Sequence, residues 1–180
     1  MTNEHTADPV NIRRLSRATG DEIRGLAELL IDCVEGGASV SFMHPLPMPK
    51  AVAFWTRVAD AVEQGERALL VAEDAGGILG TVQLVFDLPE NQPHRADLAK
   101  MLVHRRARRR GVGAGLMRAA EDVARACGKS LLVLDTVTGS DAERLYARLG
   151  WQRCGVIPGY ALFPRGGLCA TTYFYRSLDG

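Results

Sequence analysis

The order of hydrophobic periods in this chain predicts a mixed α/β (α+β) sheet with a strand–helix–strand crossover at its centre, and three observations carry that class. The 180 residues are 47% hydrophobic and 24% charged, the balance of a globular chain long enough to bury one core. Apolar residues recur at helical intervals early on, then give way to two strand-like runs, ALLVAED (residues 68–74) and ILGTVQLVF (78–86). After these come a strand-like segment (95–103), a helical one (from 111) and a short apolar run (130–136), the order of a crossover unit.

Thr19 and Glu22 have capping-box spacing ahead of Ile23, Leu26, Leu30 and Val34, which predicts a first helix stopped by Gly36 and Gly37. Residues 36–50 are rich in Gly and Pro and read as a loop, followed by a second helix on Val52, Trp55, Val58 and Val62 that ends at Gly65. Ala75, Gly76 and Gly77 turn the next two runs into an antiparallel hairpin. RADLAKMLV (95–103) reads as a strand. Leu116, Ala119, Ala120, Val123 and Cys127 then mark one side of a third helix, with Gly128 as its stop. SLLVLDT (130–136) is almost continuously apolar, as in strands covered on both faces. Ser140 and Glu143 repeat the capping-box spacing before a short helix closed by Gly150, and residues 151–157 and 170–177 read as two last strands. Residues 1–10 are expected to be loose and 11–180 to form one domain.

No apolar run approaches about 18 residues, so no membrane-spanning helix is expected. The polar start, MTNEHTADPVNIRR, has no secretory pattern, and a cytoplasmic location is expected. Cys33, Cys127, Cys154 and Cys169 form no CxxC pair and read as reduced, buried side chains. None of His5, His44, His94 and His104 stands near a cysteine at ligand spacing, so no metal site is expected. Formal net charge is +1, yet 19 of the 22 basic residues are arginine, and Arg105, Arg106, Arg108, Arg109 and Arg110 fall within six positions.

That cluster leads into Gly111, Val112, Gly113, Ala114 and Gly115, at the junction of a predicted strand and a predicted helix. There the free N–H groups of a first helical turn point one way, and glycines let a phosphate approach them. A diphosphate or phosphorylated nucleotide is one reading. A solvated surface run with a tight turn is another, and a nucleic-acid patch a third, weakened by the shortness of the run and the absence of interleaved aromatics. The chain has no GxxxxGK followed by Ser or Thr, and its glycines misplace the third position of GxGxxG.

Arg108, Gly111 and Gly113, as R-x-x-G-x-G opening a helix after a strand, resemble the acetyl-CoA motif of the GCN5-related N-acetyltransferases (GNAT). The element order is similar to theirs over nearly the whole chain, and so is LYARLGW (145–151), with a tyrosine ahead of a Gly-aromatic step. A narrower resemblance, to the tabtoxin-resistance acetyltransferases, rests on GGASVSFM (36–43), RADLAKMLV, LDTVTGSDAERLYARLG (134–150), IPGYAL (157–162) and TTYFY (171–175). Many family members carry asparagine seven residues before the tyrosine; Gly139 stands there in this chain.

The resemblance implies a GNAT-like fold, with a mostly antiparallel central sheet and helices on both faces. It also implies acetyl-CoA-dependent transfer of an acetyl group to the amine of a small molecule, such as a toxin or antibiotic of the β-lactam amino-acid kind. The diphosphate would lie on Arg108, Arg109, Arg110, Gly111, Val112, Gly113 and Ala114, and the pantetheine arm along Met101, Leu102 and Val103. Tyr146, whose usual pKa near 10 keeps it protonated at neutral pH, is the candidate proton donor to the leaving thiolate, against a role as a core aromatic. Asp135, at the end of an apolar run, is one candidate base, against a role in capping the next turn. Asp97 is the other, placed by strand alternation on one face with Ala99, Met101 and Val103, against an ion pair with Arg95 or Lys100. Met43, His44 and Tyr160 are candidate acceptor contacts, while Tyr173, Tyr175, Trp55 and Trp151 read as packing residues. A CoA-binding regulatory module without catalysis is the competing reading. No nucleic-acid or membrane partner is expected, and the chain is expected to act as a monomer or homodimer.

Overall fold

The structure, a computed structural model, describes residues 9–178. The expected loose stretch over residues 1–10 falls outside the described residues as far as residue 8, whereas Val10 packs against the core. The elements are β1 (Asn11–Leu15), α1 (Gly20–Glu35), α2 (Met48–Glu63), β2 (Arg67–Asp74), β3 (Gly77–Val85), β4 (Arg95–Val103), a 3₁₀ turn (Arg105–Ala107), α3 (Val112–Ala126), β5 (Leu131–Val137), α4 (Asp141–Arg148), β6 (Gln152–Leu162) and β7 (Leu168–Ser177).

Among the described residues these strands form one sheet in the order β1-β2-β3-β4-β5-β7-β6, antiparallel throughout except between β4 and β5. One face packs α1 and α2 through Leu26, Leu30, Trp55 and Val58 onto Leu15, Leu69, Val71 and Leu102. The other packs α3 through Leu116, Met117, Ala120 and Ala124 onto Leu70, Val82, Leu84, Ala96 and Leu132, with Tyr146 of α4 and Trp151 completing that core. The mostly antiparallel sheet with helices on both faces is therefore the observed class.

Strand β1 was not anticipated, because five residues carrying two arginines show no clear alternation; Arg13 instead donates to Glu73 of β2 at 2.7 Å and to Glu22 of α1 at 2.6 Å. Helix α2 starts earlier than its apolar pattern, with Pro47 as N-cap and Pro49 in the first turn, where a missing N–H costs nothing. The Thr19–Glu22 capping box forms as expected. At α4 the box is displaced by one residue: Ser140 caps Glu143 N–H at 3.1 Å, but the Glu143 carboxylate accepts from Gly139 N–H. The β5 run is buried on the α3 face only. Leu132 and Leu134 are in the core, whereas Leu131 and Val133 are half-buried and Asp135 is exposed. Of the cysteines, Cys33 and Cys169 are buried as expected, Cys127 is half-buried and Cys154 exposed; all four are free. Trp55 and Trp151 are core residues.

Candidate active site

The parallel ladder between β4 and β5 is short. It pairs Arg95 with Leu131, Ala96 with Leu132 and Asp97 with Val133, and then stops, although β4 runs on to Val103 and β5 to Val137. The two strands part beyond Asp97 and leave a cleft of about 1260 Å³ between them, walled by residues 98–103 on one side and 134–137 on the other. Residues 36–43 and Tyr160 to Phe163 close it above, and the start of α3 together with Tyr146 closes it below. An interior strand edge left unpaired exposes main-chain N–H and C=O groups that a bound chain can take up.

A bulge sets which β4 side chains meet the cleft. Thr81 stands opposite Leu102 and Gln83 opposite Ala99, so Lys100 and Met101 share one position, and Lys100 takes a left-handed φ of 50°. Alternation inverts there: Ala96 and Leu98 join the α3 core, Leu102 joins the α1/α2 core, and Met101 and Val103 turn to the α3 side. The expected common face for Asp97, Met101 and Val103 therefore does not exist. Asp97 falls outside the cleft wall, and its carboxylate is ion-paired with Arg95, not with Lys100.

The start of α3 leaves its first amides without a side-chain cap. Its N-cap is Gly111 at φ 79°, no side chain caps it, and the first helical carbonyl–amide bond is that from Gly115 N–H to Gly111 O at 2.9 Å. The amides of Val112, Gly113 and Ala114 precede it and line the cleft. A Cβ on Gly113 would come within 3.0 Å of the Leu145 side chain, so this glycine also lets α3 pass α4. The arginine cluster divides. Arg105 pairs with Asp32 at 2.8 Å, and Arg106 and Arg110 both reach Asp74 at 3.4 Å. Arg108 and Arg109 line the cleft with no carboxylate within ion-pair distance among the described residues. Arg110, expected beside them, does not line the cleft, and its guanidinium faces Asp74. Three of the five cations are thus tied to the protein's own carboxylates, which is not the uniform basic face a nucleic-acid patch requires.

Tyr146 is 4% exposed, and its ring lies 6.1 Å from that of Trp151 and 6.0 Å from that of Phe174. The ring is core, as one of the two readings expects, while the residue also lines the cleft and its hydroxyl takes no hydrogen bond among the described residues. Burial, and then the charge of Asp135, push its pKa well above the usual value. Asp135 lies on the opposite lip and accepts from Thr171 Oγ1 at 2.9 Å, a contact in place of the expected turn cap. Tyr173, its partner across β5 and β7, shares a 2.9 Å hydroxyl–hydroxyl hydrogen bond with Tyr160 and has its pKa pushed up to about 12, by that bond first and then by burial and Asp135.

Met43 and Tyr160 line the cleft as expected. His44 does not; its amide donates to Pro164 O at 2.9 Å and its side chain lies outside the wall. Gly139 sits at φ 80°, a conformation in which asparagine is the side-chain-bearing residue best tolerated, so the departure from the family pattern keeps the backbone turn. Sequence reasoning missed Thr171 and Lys100. The second had a signal, since it is the one cation inside the otherwise apolar stretch LAKMLV.

A sequence model of the acetyltransferase (GNAT) family matches residues 25–151, and the chain belongs to that family of acyltransferases. Solved structures of the same fold include an N-acetyltransferase from Staphylococcus aureus Mu50, 16% identical, with a TM-score of 0.78 over 95% of this chain and 99% of that one. A Salmonella typhimurium protein described as an acetyltransferase, solved with its cofactor acetyl-CoA, is 20% identical with a TM-score of 0.77 over 94% of each chain. A ribosomal-protein-alanine N-acetyltransferase from Brucella melitensis is 21% identical, with a TM-score of 0.77 over 93% of this chain and 99% of that one.

Among the described residues no helix is long and apolar enough to cross a membrane, and no cluster of His, Cys, Asp and Glu could hold a metal ion.

Proposed function

We propose that this chain transfers the acetyl group of acetyl-CoA directly to the amine of a small molecule, with no covalent enzyme intermediate, in the cleft between β4 and β5. The observation that carries the reading is the pairing of two features in one cavity: an uncapped α3 start beside Arg108 and Arg109, and an open strand edge at Met101 to Val103. A diphosphate fits the first, through main-chain N–H groups, the helix dipole and two full charges. An amide-bearing arm fits the second.

Acetyl-CoA supplies an activated thioester. The residues of the chain then divide the work. The main chain of residues 101–103 holds the arm and offers N–H donors to the acyl oxygen. Asp135, held by Thr171, passes one proton from the acceptor's ammonium group to solvent and leaves a neutral nucleophile; as the carbon–sulfur bond breaks, the nitrogen's second proton goes to the departing sulfur, which leaves as the free thiol. Tyr146 directs its hydroxyl hydrogen at the departing sulfur. Because its pKa stands above that of a thiol, full transfer from oxygen to sulfur runs uphill, and its contribution is a hydrogen bond that lowers the energy of the thiolate. Met43 and Tyr160 would bound the acceptor. A β-lactam amino-acid toxin is the acceptor we favour, on the resemblance of residues 36–43, 134–150 and 157–162 to the tabtoxin-resistance enzymes, in a cytoplasmic monomer or homodimer.

A thiol-release assay over a panel of primary amines that includes tabtoxinine-β-lactam tests the reading. Turnover of at least one amine is expected. Tight acetyl-CoA binding with no amine accepted would favour the regulatory module instead.

A further inference from the structure

Lys100 is the feature of the cleft that the acetyl-transfer scheme leaves unused. Its Nζ donates to Ser41 Oγ at 3.1 Å and lies 5.8 Å from the centre of the Phe54 ring. No carboxylate stands within ion-pair distance of it among the described residues; Asp97 belongs to Arg95. The other cation near it is Arg67, which donates to Gln83 Oε1 at 2.7 Å, while Gln83 Nε2 is buried and unpartnered. A half-buried ammonium with one hydroxyl and one ring for company has given up water without gaining a counter-charge. Burial lowers its pKa, the charge of Asp135 opposes that shift, and Arg67 adds to it.

The backbone is strained at the same place. Three residues other than glycine have positive φ among the described residues: Ser41 at 75°, Lys100 at 50° and Arg109 at 62°. All three line this cleft, and two of them are the partners of the Lys100–Ser41 hydrogen bond. Conformations that cost energy persist where the surrounding structure requires a side chain in one place. The bulge on β4 is what turns Lys100 into the cleft.

We propose that Lys100 is the anchor for a carboxylate carried by the acceptor, so that the acceptor is an amino acid or an amino-acid-like compound. The inference rests on the acetyl-transfer reading and deepens it. A zwitterion matches the two lips of the cleft, with its ammonium group toward Asp135 and its carboxylate on Lys100, assisted by the Ser41 hydroxyl. The arrangement selects against amines that lack the anion, because they would leave the lysine charge buried and unpaired.

The test compares each common L-amino acid, and tabtoxinine-β-lactam, with its own α-carboxamide as acceptor in the thiol-release assay; acceptance of simple alkylamines but of no amino acid overturns the proposal. For the accepted amino acid, wild-type kcat/KM is expected to exceed that of the amide about tenfold or more, chiefly through KM. In Lys100→Met that preference collapses toward one, and in Lys100→Arg, which keeps the charge, much of it returns. Equal use of acids and amides by the wild type, or a preference that survives in Lys100→Met, overturns the proposal and leaves acetyl transfer standing. The wild-type comparison needs no folded variant. Absence of thiol release with every amine, simple alkylamines included, overturns the acetyl-transfer reading itself.

Discussion

Thr171 donates its hydroxyl to the Asp135 carboxylate at 2.9 Å, and the same oxygen lies 2.9 Å from Thr136 O. A residue of β7, 3% exposed, thereby fixes a carboxylate on the β5 wall of the cleft. Asp135→Asn is expected to lower kcat by roughly 10²–10⁴-fold, the range for losing a general base. Thr171→Val, which leaves the base present but free to turn, should cost about tenfold in kcat with little change in KM, and Thr171→Ser should restore it. Steady-state kinetics on the three variants separate the base from the residue that positions it.

Tyr146→Phe keeps the packing against Trp151 and Phe174 and removes a hydroxyl that has no hydrogen-bond partner among the described residues. Its melting temperature should therefore match the wild type within a degree or two. The turnover number should fall roughly 10²-fold, and acetyl-CoA affinity should be unchanged. A large loss of stability instead would mean that the residue is core alone.

Arg108 and Arg109 are the two members of the cluster without an ion-pair partner among the described residues. Replacing both with alanine is expected to weaken acetyl-CoA binding by roughly 10–100-fold and to flatten its dependence on salt. Arg106→Ala and Arg110→Ala, whose charges face Asp74, should change affinity much less. Calorimetric titration at two ionic strengths decides between the pairs.

Asp32 holds the turn that leads to the start of α3: it accepts from Arg105 N–H at 2.9 Å and from Arg105 Nε at 2.8 Å. Burial alone would raise its pKa, but the Arg105 amide, the Arg105 guanidinium and the His104 charge lower it below the usual 3.8. A carboxylate with a lowered folded pKa adds stability above its unfolded pKa and loses it as pH falls through the folded value. Asp32→Asn should thus be less stable than wild type between pH 5 and 8, by about 1–2 kcal/mol, with the difference closing as pH falls below about 4. Thermal melts across that range test it.

What could be read in the sequence was what local chemistry decides. The Thr19–Glu22 box, the uncapped glycine start of α3 and the apolar periods of α1, α2 and α3 need only near neighbours, and each appears where the residues place it. Alternation gives Asp97 the wrong face-mates, because the bulge at Lys100 is a property of two strands and is visible only once β3 and β4 are paired. Arg110 and His44 looked equivalent to their neighbours until Asp74 and Pro164, distant in sequence, claimed them. Lys100 and Thr171 gain their meaning from a cleft formed by segments far apart in the chain, which no single stretch of sequence displays.

A crystal structure with acetyl-CoA tests the central claim most directly. The diphosphate is expected within hydrogen-bond distance of the Val112, Gly113 and Ala114 amides, with the pantetheine arm along Met101 to Val103. A coenzyme seated elsewhere, with those amides turned to water and the β4 edge bare, would contradict it.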